Sequence, residues 1–241
     1  MKTIVLFTTI LVTLALTASL SAQEKNWTDK AELSYVQTGG NTEITTISAR
    51  NVFGITFNDR LSGNWKLGVV YGETGGVKTA ESFSTEFGLD YLFTERLYLG
   101  LIAGWLKNEF AGLDSRIHVG PALGYKFLTG PEHTLDCKVG GSYISEQYID
   151  DTDYNYMAGM VRANYKRSFS AKTAFTQAVE MLYDFSDSEN YTLTSETAVQ
   201  TALSSFLSLK VGYVVNYDNL PVPDTLENSD TIMSMTLVAN F

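Results

Sequence analysis

The chain is poor in the residues on which many functions depend. One cysteine among 241 residues excludes an internal disulfide framework and any multi-cysteine zinc or iron–sulfur centre. Two histidines leave little for a histidine-rich metal site. Lys and Arg number 17 against 27 Asp and Glu, so the basic surplus of a nucleic-acid binder is missing. Beyond the N-terminus no run approaches the roughly 20 apolar residues of a transmembrane helix. No cofactor is implied. A mean hydropathy of -0.03 would, taken alone, describe a soluble acidic domain.

The first residues read as an address. Lys2 supplies a positive start, Ile4 to Leu16 form an apolar core interrupted by threonines, and Ala18, Ser19, Ser21 and Ala22 are small. This is the pattern of a secretory signal peptide over 1–22, leaving 23–241 as the mature domain.

What is present in that domain is alternation. From Ser205 to Tyr217 the odd positions carry Leu207, Leu209, Val211, Tyr213, Val215 and Tyr217, with Ser208, Lys210, Gly212 and Asn216 between them. Leu61–Tyr71, Ile117–Phe127 and Met233–Phe241 repeat the pattern. Period two means strands, and the three- and four-residue recurrence of a helix is absent. Twelve segments are expected, near 27–38, 41–57, 60–72, 81–93, 96–107, 115–128, 133–146, 154–168, 172–184, 190–203, 205–217 and 230–241. They exceed the five or six residues usual in globular strands and reach the roughly 9–11 of a tilted membrane-spanning strand. Connections at one end are short, as at Asn58-Asp59, Thr94-Glu95, Ser170-Ala171 and Ser204-Ser205. Those at the other end (73–80, 108–114, 147–153, 185–189, 218–229) are mostly longer. An even number of strands, short periplasmic turns and longer extracellular loops predict an all-β fold, a transmembrane antiparallel up-and-down β-barrel of about 12 strands in the bacterial outer membrane.

Parity assigns the faces. A barrel of this size is too wide for its own side chains to make a dry apolar interior, so the apolar face meets lipid and the charged face lines the lumen. Sixteen residues are expected to line it, as a pore or as a plugging network: Lys30, Glu32, Arg50, Lys66, Glu86, Asp90, Arg116, His118, Lys126, Asp136, Lys138, Arg162, Lys166, Glu180, Glu196 and Lys210. Inward glycines such as Gly68, Gly88, Gly104 and Gly124 suggest spare room inside. Outward aromatics gather at strand ends, Trp27, Phe57, Phe93 and Phe127 at one and Tyr35, Tyr71, Trp105 and Tyr143 at the other, as two interfacial girdles.

The stretch Tyr35-Val36-Gln37-Thr38-Gly39-Gly40-Asn41-Thr42-Glu43 resembles a hairpin of the DUF481 family. Asn58-Asp59-Arg60-Leu61 before Trp65, Ser115-Arg116 before the Gly120–Gly124 strand, and Tyr217-Asp218-Asn219-Leu220-Pro221 resemble it in the same order. The family is described as YdiY-like salt-induced outer-membrane proteins. The resemblance implies a barrel and its location, but little mechanism. Phe241, ending an alternating strand, looks like the signal read by the barrel assembly machinery.

Three functions follow as expectations. The first is a narrow channel for small solutes or ions with a part in the envelope's salt response. The second is a structural or surface-binding barrel whose acidic loops hold divalent cations, glycan or a partner. The windows 146–153, 184–189 and 218–230 contain eleven acidic residues and no Lys or Arg, with Asp150, Asp151 and Asp153 the densest. Their oxygens suit calcium or magnesium and bridging to lipopolysaccharide. The third is an outer-membrane hydrolase, for which His118 would need a serine partner across the lumen. No Gly-x-Ser-x-Gly elbow is present, and the chain is expected not to be an enzyme. Outer-membrane lipid and lipopolysaccharide are the expected surroundings, with the barrel a monomer that binds no nucleic acid.

Overall fold

The structure, a computed structural model, describes residues 26–38, 44–222 and 225–241. The signal-peptide expectation and the Gly39-Gly40-Asn41 turn lie outside the described residues. Twelve strands alternate in direction: β1 (Trp27–Thr38), β2 (Ile44–Thr56), β3 (Leu61–Thr74), β4 (Val77–Leu92), β5 (Leu97–Asn108), β6 (Leu113–Thr129), β7 (His133–Tyr148), β8 (Asp153–Ser168), β9 (Thr173–Asp184), β10 (Tyr191–Ala202), β11 (Leu207–Asp218) and β12 (Ser229–Asn240). Each pairs with its sequence neighbours, and β12 closes on β1 through pairs such as Leu33↔Leu237. Closure satisfies the backbone of every strand within the sheet, which a bilayer demands.

The strand registers also fix the girth. Carried round the ring, they return to β1 displaced by about 16 residues. With twelve strands about 4.8 Å apart and about 3.3 Å per residue, this stagger means a tilt near 43° and a backbone radius of about 12 Å. A twelve-residue strand then rises about 29 Å, enough to cross an apolar band of about 25 Å.

One turn design recurs at the short end. Asn58, Thr94, Ser170 and Ser204 each accept, through a side-chain oxygen, the backbone N–H groups two and three residues on. In each case the preceding residue (Phe57, Phe93, Phe169, Leu203) donates its N–H to the carbonyl four residues later. Asn, Ser and Thr offer the backbone this local partner, which is why they mark the four reversals.

The opposite end is less drawn out than the sequence spacing suggests, because strands run on into the expected loops. The 73–80 connection shrinks to Gly75-Gly76, with φ of +56° and +80°. Two residues at positive φ make the tight hairpin turn whose twist matches the strands, and glycine enters that region without steric cost. The two longest connections, 185–190 and 219–228, are nevertheless at this end. Val222 and Leu226, between β11 and β12, lie against Gly112 on the connection between β5 and β6, on the other side of the ring.

Parity holds throughout the wall. Leu33, Leu89, Leu123, Val139, Val161, Val211, Met233 and Leu237 all point outward and are exposed. Inward residues of β5 to β9 pack into an apolar cluster: Ile102, Ala122, Ile144, Tyr156, Ala158, Met160 and Leu182. The β6–β7 register passes from Val119↔Tyr143 to Ala122↔Gly140, with Pro121, which lacks an N–H, between them. A Cβ on Gly120 would strike the Gly141 carbonyl, and one on Gly140 the Pro121 carbonyl. The two backbones therefore approach more closely than any other residue type would allow.

Candidate functional site: the lumen

The apolar cluster packs along β5 to β9, and a cavity of about 830 Å³ lies beside it, lined by residues of all twelve strands, Ile102 of the cluster among them. Thirteen of the residues singled out by parity line it: Glu32, Arg50, Lys66, Glu86, Asp90, His118, Lys126, Asp136, Lys138, Arg162, Glu180, Glu196 and Lys210. Lys30, Arg116 and Lys166 are elsewhere on the inward face. Lys30 pairs with Glu32 at 2.6 Å. Arg116 sits toward the long-loop end against Glu146 at 2.5 Å, and Lys166 stands exposed between Thr134 and Thr176 near the short turns.

The charges form separate networks. Glu86 is the centre of one, taking Lys66 at 2.8 Å from the neighbouring strand and Arg162 from β8, four strands away. Arg162 also pairs with Glu180. The Nε2 of His118 lies 3.6 Å from Glu86 and has no hydrogen-bond partner among the described residues, so no Ser–His pair forms there. A second network joins β1, β2, β10 and β11. Lys210 donates to Glu32 at 3.0 Å and to Glu196 at 2.6 Å, and Arg50 donates to the other oxygen of Glu196 at 2.7 Å. Nearer the short turns, Lys138 holds Asp90 at 2.8 Å, and the Tyr98 hydroxyl donates to Asp136 at 2.6 Å.

The inward glycines do not leave vacant room. Asn64 lies over Gly88, His118 over Gly104 and the Tyr98 ring over Gly124, each from the directly paired position on the next strand. The space each glycine releases is taken by its neighbour's side chain.

Several inward groups were missed from the sequence. Glu146, 2 % exposed, accepts from Arg116 and from the Tyr148 and Tyr156 hydroxyls. Asp184 accepts from Ser186 and Asn190 and ties off the β9–β10 connection. Both occupy the even positions that mark the lumen, so parity carried the signal. The sequence spacing places both in the acidic loops, because strand ends are the least legible part of the pattern.

Of the proposed cation-binding loop, Asp150 accepts the Thr152 N–H at 3.0 Å, Asp151 adopts φ of +64° in the reversal, and Asp153 opens β8. Among the described residues no group of three or more His, Cys, Asp or Glu is placed to hold a metal ion. On the β5–β6 connection the Lys107 ammonium, 3.2 Å from Glu109, holds that carboxyl below the usual carboxylate range. Phe241 exchanges backbone hydrogen bonds with Asp29 at 2.8 and 3.2 Å, securing the end of the last strand to β1.

An apolar outer wall, full closure and a charged interior define an antiparallel β-barrel of the outer-membrane type. Among solved structures, the chain resembles the COG4313 outer membrane channel from Pseudomonas putida F1, at 11% identity over 93% of this chain and 98% of that one, with a TM-score of 0.55. It also resembles the translocator domain of the autotransporter NalP from Neisseria meningitidis, at 12% identity, 95% and 92% coverage and a TM-score of 0.53. At such identities the likeness is one of fold. Residues 31–241 match DUF481, a family of proteins of unknown function, and the chain belongs to that family. It is 25% identical over 223 residues to the uncharacterized protein YdiY of Escherichia coli (strain K12), covering 90% of this chain and 84% of that one.

Proposed function

We propose that this protein is an outer-membrane channel for small solutes or ions. The observation that carries the reading is the cavity of about 830 Å³, enclosed by a lipid-compatible wall and lined by charged and hydroxyl side chains set among apolar ones such as Val52, Val70 and Ile102. A barrel serving only as an anchor has no need of such an interior, and water-filled polar lumens are the habit of conducting barrels. The fold shared with an outer-membrane channel supports the same conclusion. In this reading the barrel is a monomer that performs no catalysis. Outer-membrane lipid and lipopolysaccharide surround its apolar wall, and the assembly machinery inserts it through the strand ending at Phe241. The family resemblance adds to this reading a part in the envelope's response to salt. Planar-bilayer recording of the purified, folded protein is the test. Discrete conductance steps are expected, and their absence would overturn the reading.

A second arrangement is favoured by one observation, the apolar cluster inside the barrel together with the packing of Val222 and Leu226 against Gly112 at the long-loop end. A barrel closed in this way would act through its surface. Unaltered envelope integrity and surface binding after removal of 219–228 would reject that alternative.

A further inference from the structure

The cavity wall is not electrically uniform. On β2 and β3 the cations stand forward and their carboxylates lie behind them. The Arg50 side chain is 42% exposed against 20% for its partner Glu196, and Lys66 is 39% exposed against 16% for Glu86. The two cations are diagonal neighbours on the inward face, Arg50 opposite Gly68 and Lys66 opposite Val52. Diagonal positions lie about 7–8 Å apart, within reach of one small ligand for side chains this long. Gly68, bare of side chain, sits between Arg50 on one strand and Ser84 on the other. Glu196 takes one Nη of Arg50, leaving the other edge of the guanidinium fork open, and Glu86 takes one of the three ammonium donors of Lys66. The result is a shallow dish of unspent N–H and O–H donors facing the cavity, with two positive charges and no forward carboxylate.

Resting on the channel reading above, we propose that Arg50, Lys66 and Ser84 form an anion-binding site for small carboxylates passing through the lumen. An open guanidinium fork matches a carboxylate in shape and charge. Rings and pairs of Arg and Lys are the general means by which pores prefer anions. The acidic connections at the long-loop mouth act weakly on this site, because charges beyond about 8 Å are screened at physiological ionic strength.

The charge arrangement also makes the site testable without loss of the fold. In Arg50→Gln, Glu196 keeps Lys210 at 2.6 Å. In Lys66→Gln, Glu86 keeps Arg162 at 3.0 Å. Neither substitution leaves a carboxylate uncompensated. The experiment pairs reversal potentials under a potassium chloride gradient with thermal unfolding of the detergent-solubilised protein in potassium gluconate, using potassium chloride as the control. The wild type should show a chloride-to-potassium permeability ratio of about two or more, falling to about one in the double variant. Gluconate should raise the melting midpoint of the wild type and not of the double variant. A conductance without anion preference, or a preference the double variant retains, overturns the site and leaves the channel standing. No conductance, with a gluconate shift lost in the variant, upholds the site and overturns the channel. Neither conductance nor shift overturns both.

Discussion

Glu86 shows how one inward residue organises several strands. It receives Lys66 and Arg162, with His118 3.6 Å away, so its carboxylate links β3, β4, β6 and β8 across the lumen. Removing it leaves these groups facing each other with no acid between them, although Arg162 retains Glu180. A charged hydrogen bond contributes about 1.5–3 kcal/mol when well buried. Half-exposed pairs such as that with Lys66 contribute nearer zero to one. Glu86→Ala should therefore destabilise the barrel by about 1–3 kcal/mol. Glu86→Gln should cost less, because the amide oxygen still accepts one of those donors. The midpoint of heat-induced loss of the compact electrophoretic form measures both. Equal midpoints for Glu86→Ala and the wild type would show that the link between strands contributes nothing to stability.

At the scale of the strand, parity decides cost. Met235 on β12 points outward and is exposed, while its neighbour Ser234 faces the cavity. A lysine on the lipid face near the midplane costs about 2–4 kcal/mol, whereas one in a polar lumen is close to neutral. Met235→Lys should lower folding stability in lipid vesicles by that amount, and Ser234→Lys should leave it within about 1 kcal/mol. Similar losses from both would contradict the assignment of faces. A connection carries its own prediction. Gly112 has φ of +72°, and a Cβ there would collide with the Val222 carbonyl. Gly112→Val then combines a left-handed backbone, worth about 1–2 kcal/mol in strain, with loss of the seat on which Val222 and Leu226 rest. Single-channel conductance should rise as these residues leave the mouth, and an unchanged conductance would show that they do not restrict passage.

For the whole molecule, alternation made the strand number, the two faces and the inward charges legible, because side-chain direction follows directly from sequence parity. Girth was not legible, since it depends on the stagger between strands and no single strand reveals it. The partners of the charges were hidden for the same reason: Arg162 meets Glu86 only once the strands from β4 to β8 have curved round to bring them together. The filled side of the lumen was half visible. Ile102, Ile144, Met160 and Leu182 are apolar residues at inward positions, an exception within the polar face that averaging conceals. That exception bears on how wide the passage is. A backbone radius of about 12 Å would leave a broad pore if every inward side chain were small, yet the cluster on β5 to β9 occupies one side of it. Ile144 and Met160 are among the most completely buried side chains of the barrel, at 0% and 1% exposure. Replacing a buried Ile or Met by Ala costs about 2–5 kcal/mol, because the surroundings close only partly over the space. The double variant Ile144→Ala, Met160→Ala should thus melt earlier than the wild type and, in the fraction that folds, conduct more current per channel. A lower melting midpoint with unaltered conductance would place the path wholly on the Arg50 and Lys66 side, with the cluster serving only as structural filling.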